Sequence, residues 1–227
     1  MKKVNWQYTF GEILIVIIGI SIAFSMNKCA ENSKNEAQKN QYLINLKDDV
    51  ISDKIALEQN AIEIEKKIKT ADEILPKLNT DVPDKMMIVG KIFSIVNLTD
   101  FTPKDNTYQA LINSGDLKLI DDFETKTAIE KHYSYYKIMQ KSYLRMENIQ
   151  KEYVGNYFIY HTDFDDFRNK KFGFKDEKLL KNIIMSMRGS FDIKLTATKE
   201  GIVSCDSLIN LLNKKNTSST LRCFSAY

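Results

Sequence analysis

Residues 8–26 form one nearly unbroken apolar run close to the start of the chain, and Glu12 is its charged residue. Nineteen residues of helix rise about 28 Å, close to the thickness of the hydrocarbon core of a bilayer. Trp6 and Tyr8 lie at one end, where aromatic rings favour the headgroup layer, and Asn27 marks the other end. The run therefore predicts a transmembrane helix that ties the chain to a lipid bilayer.

Two other interpretations of the run stay open. A cleaved signal peptide also has basic residues before its apolar core and small residues near its end, as Lys2, Lys3, Ser21 and Ala23 do here. A buried helix of a soluble protein is the third interpretation. If the run spans a membrane, the positive charge at its N-terminal end favours an N-terminus inside the cytoplasm. We then expect a single-pass protein of the cell inner membrane with its domain on the periplasmic side.

The composition of the chain favours helices and argues against a nucleic-acid partner. Eight Gly and three Pro leave little material for hairpin turns, so an all-α fold is expected. Lys and Arg number 33 against 30 Asp and Glu, and the two signs are interleaved rather than gathered into a basic patch. The three cysteines form no disulfide framework, although Cys205 and Cys223 can pair in an oxidising compartment.

The pattern divides the chain into five parts. A short tail, residues 1–7, precedes the transmembrane helix, 8–26, and a polar segment, 27–40, follows as a stalk or a continuation of the helix. A helical bundle of four or five helices occupies residues 41–215, and a mobile tail is predicted for 216–227.

The first helix of the predicted bundle is long and carries apolar residues at seven-residue intervals. Four more isoleucines widen the stripe, which favours a multi-helix bundle and leaves a homodimeric coiled coil as the alternative. Pro76 should end this helix, because it lacks an amide proton. The heptad residues are Val50, Leu57, Ile64 and Ala71, and the widening residues are Ile44, Ile51, Ile55 and Ile62.

Further helices are predicted after a loop that runs to Pro83. They cover residues 83–98, 107–113, 121–160, 176–187 and 195–214. Gly115 should terminate the short second one in a left-handed conformation, and Asp121 or Asp122 should cap the third. Tyrosines at helical spacing along the third, among them Tyr133, Tyr136 and Tyr143, predict a core stripe rather than a ligand platform.

Two segments of the chain carry specific sequence patterns. The first is the run from Tyr8 to Ala23, with Gly-Glu at its start and Gly-Ile and Ala near its end, followed by Asn27 and a long charged helix. The second is Thr107 to Leu117, a short helix that ends in Ser-Gly. Together they resemble a family of uncharacterised single-pass membrane proteins of Gram-negative bacteria, although Lys28 and Cys29 depart from the family pattern and the similarity fades after about Tyr136. Because that family has no assigned activity, the resemblance implies location and fold.

Three residues of the apolar run are candidates for contacts with a membrane partner. Glu12 is an ionisable group at membrane depth, where a retained charge often serves a proton, an ion or a basic partner, although it can also snorkel to the interface. Gly19 and Ala23, four residues apart, would let a second helix approach closely, though such pairs also arise by chance.

No motif for catalysis, a cofactor or a metal is found in the sequence. His132 and His161 are not at ligand spacing, and neither a nucleophile elbow nor a phosphate loop is present. The acidic loop around Asp163 fails as an EF-hand, because Phe167 and Arg168 stand where an oxygen ligand and Gly are needed. We therefore expect a non-enzymatic, membrane-tethered module that binds a membrane or envelope protein or senses a ligand. The alternative is a small accessory subunit of a transport or secretion assembly that acts through its transmembrane helix.

Overall fold

The computed structural model describes residues 6–83 and 85–224, and the side chains of residues 10–83 and 85–215. The helices are α1 (Trp6–Ile74), α2 (Met86–Val96), α3 (Asn106–Ser114), α4 (Phe123–Ile149), α5 (Gly155–Tyr160), α6 (Phe164–Arg168) and α7 (Glu177–Phe224). A π turn, Gln150–Val154, joins α4 to α5 without a break, and 3-10 turns follow α1 and α3. Within the described ranges there is no strand, so the all-α prediction is confirmed.

Helix α1 continues without interruption through 69 residues, about 100 Å, from the apolar run into the bundle. The side chains of residues 10–34 are exposed, and Leu46 is the first that is fully buried along the helix. The helix ends at Ile74, where Pro76 enters a 3-10 turn, as predicted. Residues 27–40 are therefore a continuation of the helix and not a flexible stalk.

The bundle has four segments that run alternately up and down. Helix α1 runs up, α2 and α3 with the loop between them run down, α4 and α5 run up, and α7 runs down. Helix α7 packs against both α1 and α4, so α1 and α4 occupy diagonal positions. This is the antiparallel order that short connections impose on neighbouring segments.

Two hydrophobic cores are stacked along the bundle. The core nearer the apolar run joins Val50 and Leu57 of α1 to Tyr136 of α4 and Leu208 of α7. The distal core joins the C-terminal part of α1 to α2, α5 and the start of α7. Gly201 of α7 is in close contact with α1 and α4, since a Cβ atom there would lie 2.9 Å from Met139 Sδ and 3.2 Å from Leu57 Cδ1.

A layer of polar side chains separates the two cores. These side chains supply hydrogen-bond partners to the backbone of the loop between α2 and α3. That loop has no helical hydrogen bonds of its own, so side chains from the long helices must replace them. Its carbonyl groups accept from long side chains of α1, the π turn and α7, and its Lys104 amide donates to Asp53. The donor and acceptor pairs are Gln150 with Val96, Lys67 with Asn97, Lys194 with Thr99 and Asn60 with Asp100.

Several local predictions are confirmed. Gly115 ends α3 with φ at 74°, and Asp122 caps α4 by accepting from the amide of Thr125. The tyrosine stripe is core at Tyr133, Tyr136 and Tyr143, which are buried, whereas Tyr153, also predicted to lie on the stripe, is 55% exposed. Helix α2 begins at Met86 rather than at Pro83, and residue 84 lies outside the described residues.

Two predictions are wrong. Residues 176–187 and 195–214 belong to one helix, α7. Gly189 occupies an exposed turn of this helix and does not interrupt its backbone hydrogen bonds. Beyond it, Phe191 and Lys194 continue the buried face of the helix. Of the four isoleucines predicted to widen the buried stripe of α1, Ile51 is half-buried, whereas Ile44, Ile55 and Ile62 are 47%, 51% and 69% exposed, because the neighbouring segments pack on other sides of the helix.

Two further expectations concern the C-terminal end. The backbone of residues 216–224 continues α7, while their side chains and residues 225–227 lie outside the described residues, so the mobile tail stays a prediction. Cys205 and Cys223 are 18 residues apart on this one helix, a separation of about 27 Å. The side chain of Cys223 lies outside the described residues, so the pairing of the two cysteines stays a prediction.

Candidate functional site

The three candidate residues of the apolar run lie on one face of α1. Gly19 follows Glu12 by seven residues and Ala23 follows Gly19 by four, steps that return to nearly the same side of a helix. All three are exposed, and a Cβ atom on Gly19 would meet nothing within 4 Å. By length and composition this part of α1 can cross a membrane. A signal sequence near the N-terminus would meet the same criteria. The structure thus brings the three predicted residues together and leaves them free of intramolecular contacts in the described part of the chain.

The segment around α3 fastens the bundle to α1 just beyond the exposed stretch. Asp116 accepts from Gln38 Nε2 at 2.8 Å and from the hydroxyl of Tyr42 at 2.9 Å. Two helical turns further along α1, the hydroxyl of Thr107 donates to Asp49. A hydrogen bond with Ser114, followed by those from Tyr42 and Gln38, holds the pKa of Asp116 below its usual range. The second family-like segment is therefore a clamp on α1, a role that the sequence did not reveal.

An open apolar groove of about 700 Å³ runs along the outer side of the bundle between α4 and α7. Ile138 and Val203, 61% and 64% exposed, contribute apolar side chains from the two helices. Lys131 and Glu200 add charges of both signs to its walls. The groove has the shape and chemistry of a site for a peptide helix with a mixed polar rim.

His132 lies among the groove's lining residues, but its ring is buried. Its Nδ1 atom lies 2.9 Å from Ser204 Oγ, and its Nε2 atom has no partner. Burial lowers the pKa of His132 to about 4. The hydroxyl of Tyr136 lies 3.3 Å from Cys205 Sγ, and burial raises the pKa of that thiol to about 11. This cluster is therefore neutral at pH 7, and Cys205 is shielded from reaction.

We expect acid to destabilise the bundle through His132. In the unfolded chain the imidazole gains a proton as the pH falls below 6.5, whereas in the fold it stays neutral until about 4. The contribution of His132 to the free energy of unfolding is therefore fully present above pH 6.5. It declines by about 2 kcal/mol as the pH falls to 5. Urea unfolding in detergent, followed by circular dichroism, should show this loss in the wild type relative to His132→Phe. Parallel acid limbs for the two proteins would contradict it.

The acidic loop between α5 and α7 uses its carboxylates within the protein. Asp163 caps α6 by accepting from the amides of Asp165 and Asp166. Lys175 pairs with Asp166 at 2.5 Å and lies 3.5 Å from Asp163. Across the described residues no group of three or more His, Cys, Asp or Glu side chains is placed to hold a metal ion.

The comparisons with known proteins give a family and no activity. The profile of a family of unknown function, DUF6090, matches residues 12–162, two thirds of the chain. The match includes the apolar run from Glu12, the clamp and α4, and it ends before α7, the helix that packs against both α1 and α4. No curated protein and no solved structure matches the chain. The chain therefore belongs to DUF6090, a family of unknown function.

Proposed function

We propose that this protein is a single-pass protein of the cell inner membrane whose bundle is an interaction or sensing module on the periplasmic side. The observation that carries the proposal is the continuity of α1, which leads from the exposed apolar run directly into the core at Leu46. An anchor gains from this continuity, because the helix holds the bundle at a fixed distance from the bilayer. A signal peptide is removed from the mature protein, so a continuous helix into the bundle would serve no purpose in it.

The α4/α7 groove supports the interaction role. Exposed apolar side chains set in a groove with charges of both signs are what an amphipathic helix of another protein requires. We therefore take the partner to be a helix of a membrane or envelope protein, held against Ile138 and Val203. The bundle supplies a rigid support for such a contact, since both helices are packed on the core behind the groove.

A second candidate function is an accessory subunit of a transport or secretion assembly. The common face of Glu12, Gly19 and Ala23 favours it, because a partner helix in the membrane would meet all three at once. Replacing Glu12 by Gln separates the candidates. The accessory role requires a loss of association with the assembly, whereas the groove role requires that partner capture stays as in the wild type.

Thiol labelling in intact cells tests the anchoring and the side of the membrane. Cys205 is unsuitable as a reporter because it is buried, so we would label the exposed position Asn113→Cys in a Cys29→Ser, Cys223→Ser background. A membrane-impermeant maleimide should label it in intact cells, and the protein should stay in the membrane fraction at alkaline pH. Labelling only after lysis would reverse the topology, and release by alkali would refute the anchor.

Photo-crosslinking tests the groove. A photoreactive amino acid at Ser207, on the wall of the groove, should give one defined adduct with an envelope protein in intact cells. Ile138→Glu with Val203→Glu should weaken it by about tenfold or more, because two interface contacts are replaced by charge. Met185→Glu is the matched control at an exposed apolar position outside the groove. Equal adduct yields in all three proteins would refute the groove as the binding site.

A further inference from the structure

The side of α1 that faces away from the bundle carries an apolar stripe. Ile55 follows the buried Val50 by five residues, and Ile62 follows the buried Leu57 by five, so each isoleucine lies roughly 140° round the helix from the core. We call this set the outer stripe. Its members are Ala30, Ala37, Ile44, Ile51, Ile55 and Ile62.

The outer stripe continues the face formed by Glu12, Gly19 and Ala23. From Glu12 to Ile62 every step between successive members is of seven or four residues, the spacing at which helix positions recur in a coiled-coil seam. Because α1 is one unbroken helix, this spacing carries through the apolar run, the exposed segment and the bundle. The small residues thus extend a stripe whose bundle half is built of large isoleucines.

Every member of the outer stripe is exposed except Ile51, which is half-buried. The clamp, α2 and α7 contact α1 from the other sides, through residues such as Tyr42, Asp49 and Lys54. The described segments of the bundle therefore leave this side of α1 open to a second helix. From Gly19 to Ile62 the stripe is about 65 Å long, and a strip of helix width gives roughly 700 Å² per copy. Stable interfaces bury about 800 Å² per partner.

We propose that the protein forms a parallel homodimer through the outer stripe of α1. The occupant is a second copy because both copies, anchored in the same membrane as proposed above, present the same stripe at the same depth and in the same direction. In such a two-fold pair each isoleucine meets its own counterpart. The homodimeric seam first considered, through Val50 and Leu57, is filled by α7 and α4, so the dimer uses the opposite face.

Polar residues in the seam set the strength and geometry of the pair. Asn27 lies on the seam between Ala23 and Ala30, and Gln41 lies between Ala37 and Ile44. An asparagine in this position favours a parallel, two-stranded arrangement at a cost in stability. Lys34 and Asp48 add like charges across the axis and weaken it further. The isoleucines and the membrane anchor together must therefore supply the association.

Disulfide crosslinking in membranes tests the proposal. Single cysteines replace Ala30, Lys28 or Asn32 in the full-length chain, with Cys29→Ser and Cys223→Ser, and the copper-phenanthroline complex oxidises the paired thiols. Positions 28 and 32 lie two residues either side of position 30, roughly 160° away from it. We expect at least fivefold more dimer from Ala30→Cys than from either control. Equal or absent crosslinking at the three positions would overturn the proposal.

A second comparison tests whether the seam extends to the bundle. In the Ala30→Cys protein, Ile55→Glu with Ile62→Glu should lower the crosslinked fraction at least fivefold, whereas Met87→Glu with Ile159→Glu should leave it unchanged. All four side chains are exposed, so neither pair should unfold the bundle. An unchanged fraction with the isoleucine pair would overturn the continuous seam. Alkaline extraction of the same membranes reports the anchor separately, and crosslinking repeated in detergent reports the dimer even if the anchor fails.

Discussion

Replacing Gly173 by alanine should lower the free energy of unfolding by about 2–3 kcal/mol, although only one methyl group is added. A Cβ atom at this position would clash with the carbonyl oxygen of Asp163 and would lie 2.9 Å from Cε1 of Phe167. The backbone of Asp163 cannot move away freely, because its amide donates to the carbonyl of Gly173 at 2.8 Å and Lys175 donates to His161 at 2.9 Å. The two bridged segments, around Thr162 and Phe174, would have to separate.

The displacement caused by the added methyl group should extend into the distal core. Phe174, the next residue, is buried, and its ring lies 4.9 Å from that of Phe167 and 5.9 Å from that of Phe93 on α2. Moving Gly173 therefore displaces an aromatic cluster that ties the loop to the bundle.

Gly189→Ala is the matched control for this prediction. Gly189 lies in an exposed turn of α7 with nothing within 4 Å of a Cβ atom, so the same substitution should raise stability by about 0.5–1 kcal/mol through helix propensity. Thermal unfolding in detergent, followed by circular dichroism, compares the two. Changes of the same sign in both variants would show that close packing at Gly173 is not the cause.

Features fixed by neighbouring residues were predictable from the sequence. Pro76 ends α1, Gly115 ends α3 and Asp122 caps α4, because each acts through its own backbone or that of residues within one turn. The seven-residue spacing likewise identified Val50 and Leu57 as core. Glu12, Gly19 and Ala23 share a face for the same reason, since helix phase alone decides it.

Features that depend on how helices are arranged were not predictable. Both Ile64 and Ile62 are apolar and lie on α1, and only the positions of α2 and α7 decide that the first is buried and the second exposed. The α4/α7 groove unites Ile138 and Val203, which are 65 residues apart. The continuity of α7 was not predictable, because it depends on how Phe191 and Lys194 pack against the other segments.

The buried lysines illustrate the same limit most clearly. Nothing in the sequence around Lys67 or Lys194 marks them as interior, since lysines are rarely fully buried. Their burial follows from the loop between α2 and α3, which crosses the bundle with carbonyl groups that need donors. These carbonyl groups need lysine donors only when the loop is packed between the long helices, so the sequence alone does not reveal the need.

Lys194 should make the stability of the bundle rise with pH in the alkaline range. Its side chain is 1% exposed, with Nζ donating to the carbonyl of Thr99 and lying 3.9 Å from the centre of the Tyr143 ring. Burial lowers the pKa of Lys194 to about 8; Lys67 lowers it further, and Asp100, Glu63 and Glu147 oppose the shift. The folded protein therefore holds an ammonium group at pH 7 that would be better hydrated in the unfolded chain.

The direction of the pH dependence follows from the two pKa values. Between pH 8 and pH 10.5 the unfolded chain keeps a proton on this lysine that the folded protein has released, so stability increases with pH. From pH 7.5 to 9.5 the gain should be about 2 kcal/mol. Tyrosines and Cys205, whose pKa values are raised by burial, act in the opposite direction as the unfolded chain loses their protons. The gain must therefore be measured against a variant that lacks Lys194.

Urea unfolding of the wild type and Lys194→Met at the two pH values isolates this contribution, because the tyrosines and Cys205 are common to both proteins. The wild type should gain about 2 kcal/mol relative to the variant. Lys199→Met is the control, since Lys199 is an exposed lysine on the same helix, paired with Glu65 at 2.7 Å, and its removal should preserve the wild-type gain. If Lys194→Met and the wild type respond equally to pH, the ammonium group is not desolvated, and the polar layer admits water to the loop that Lys194 supports.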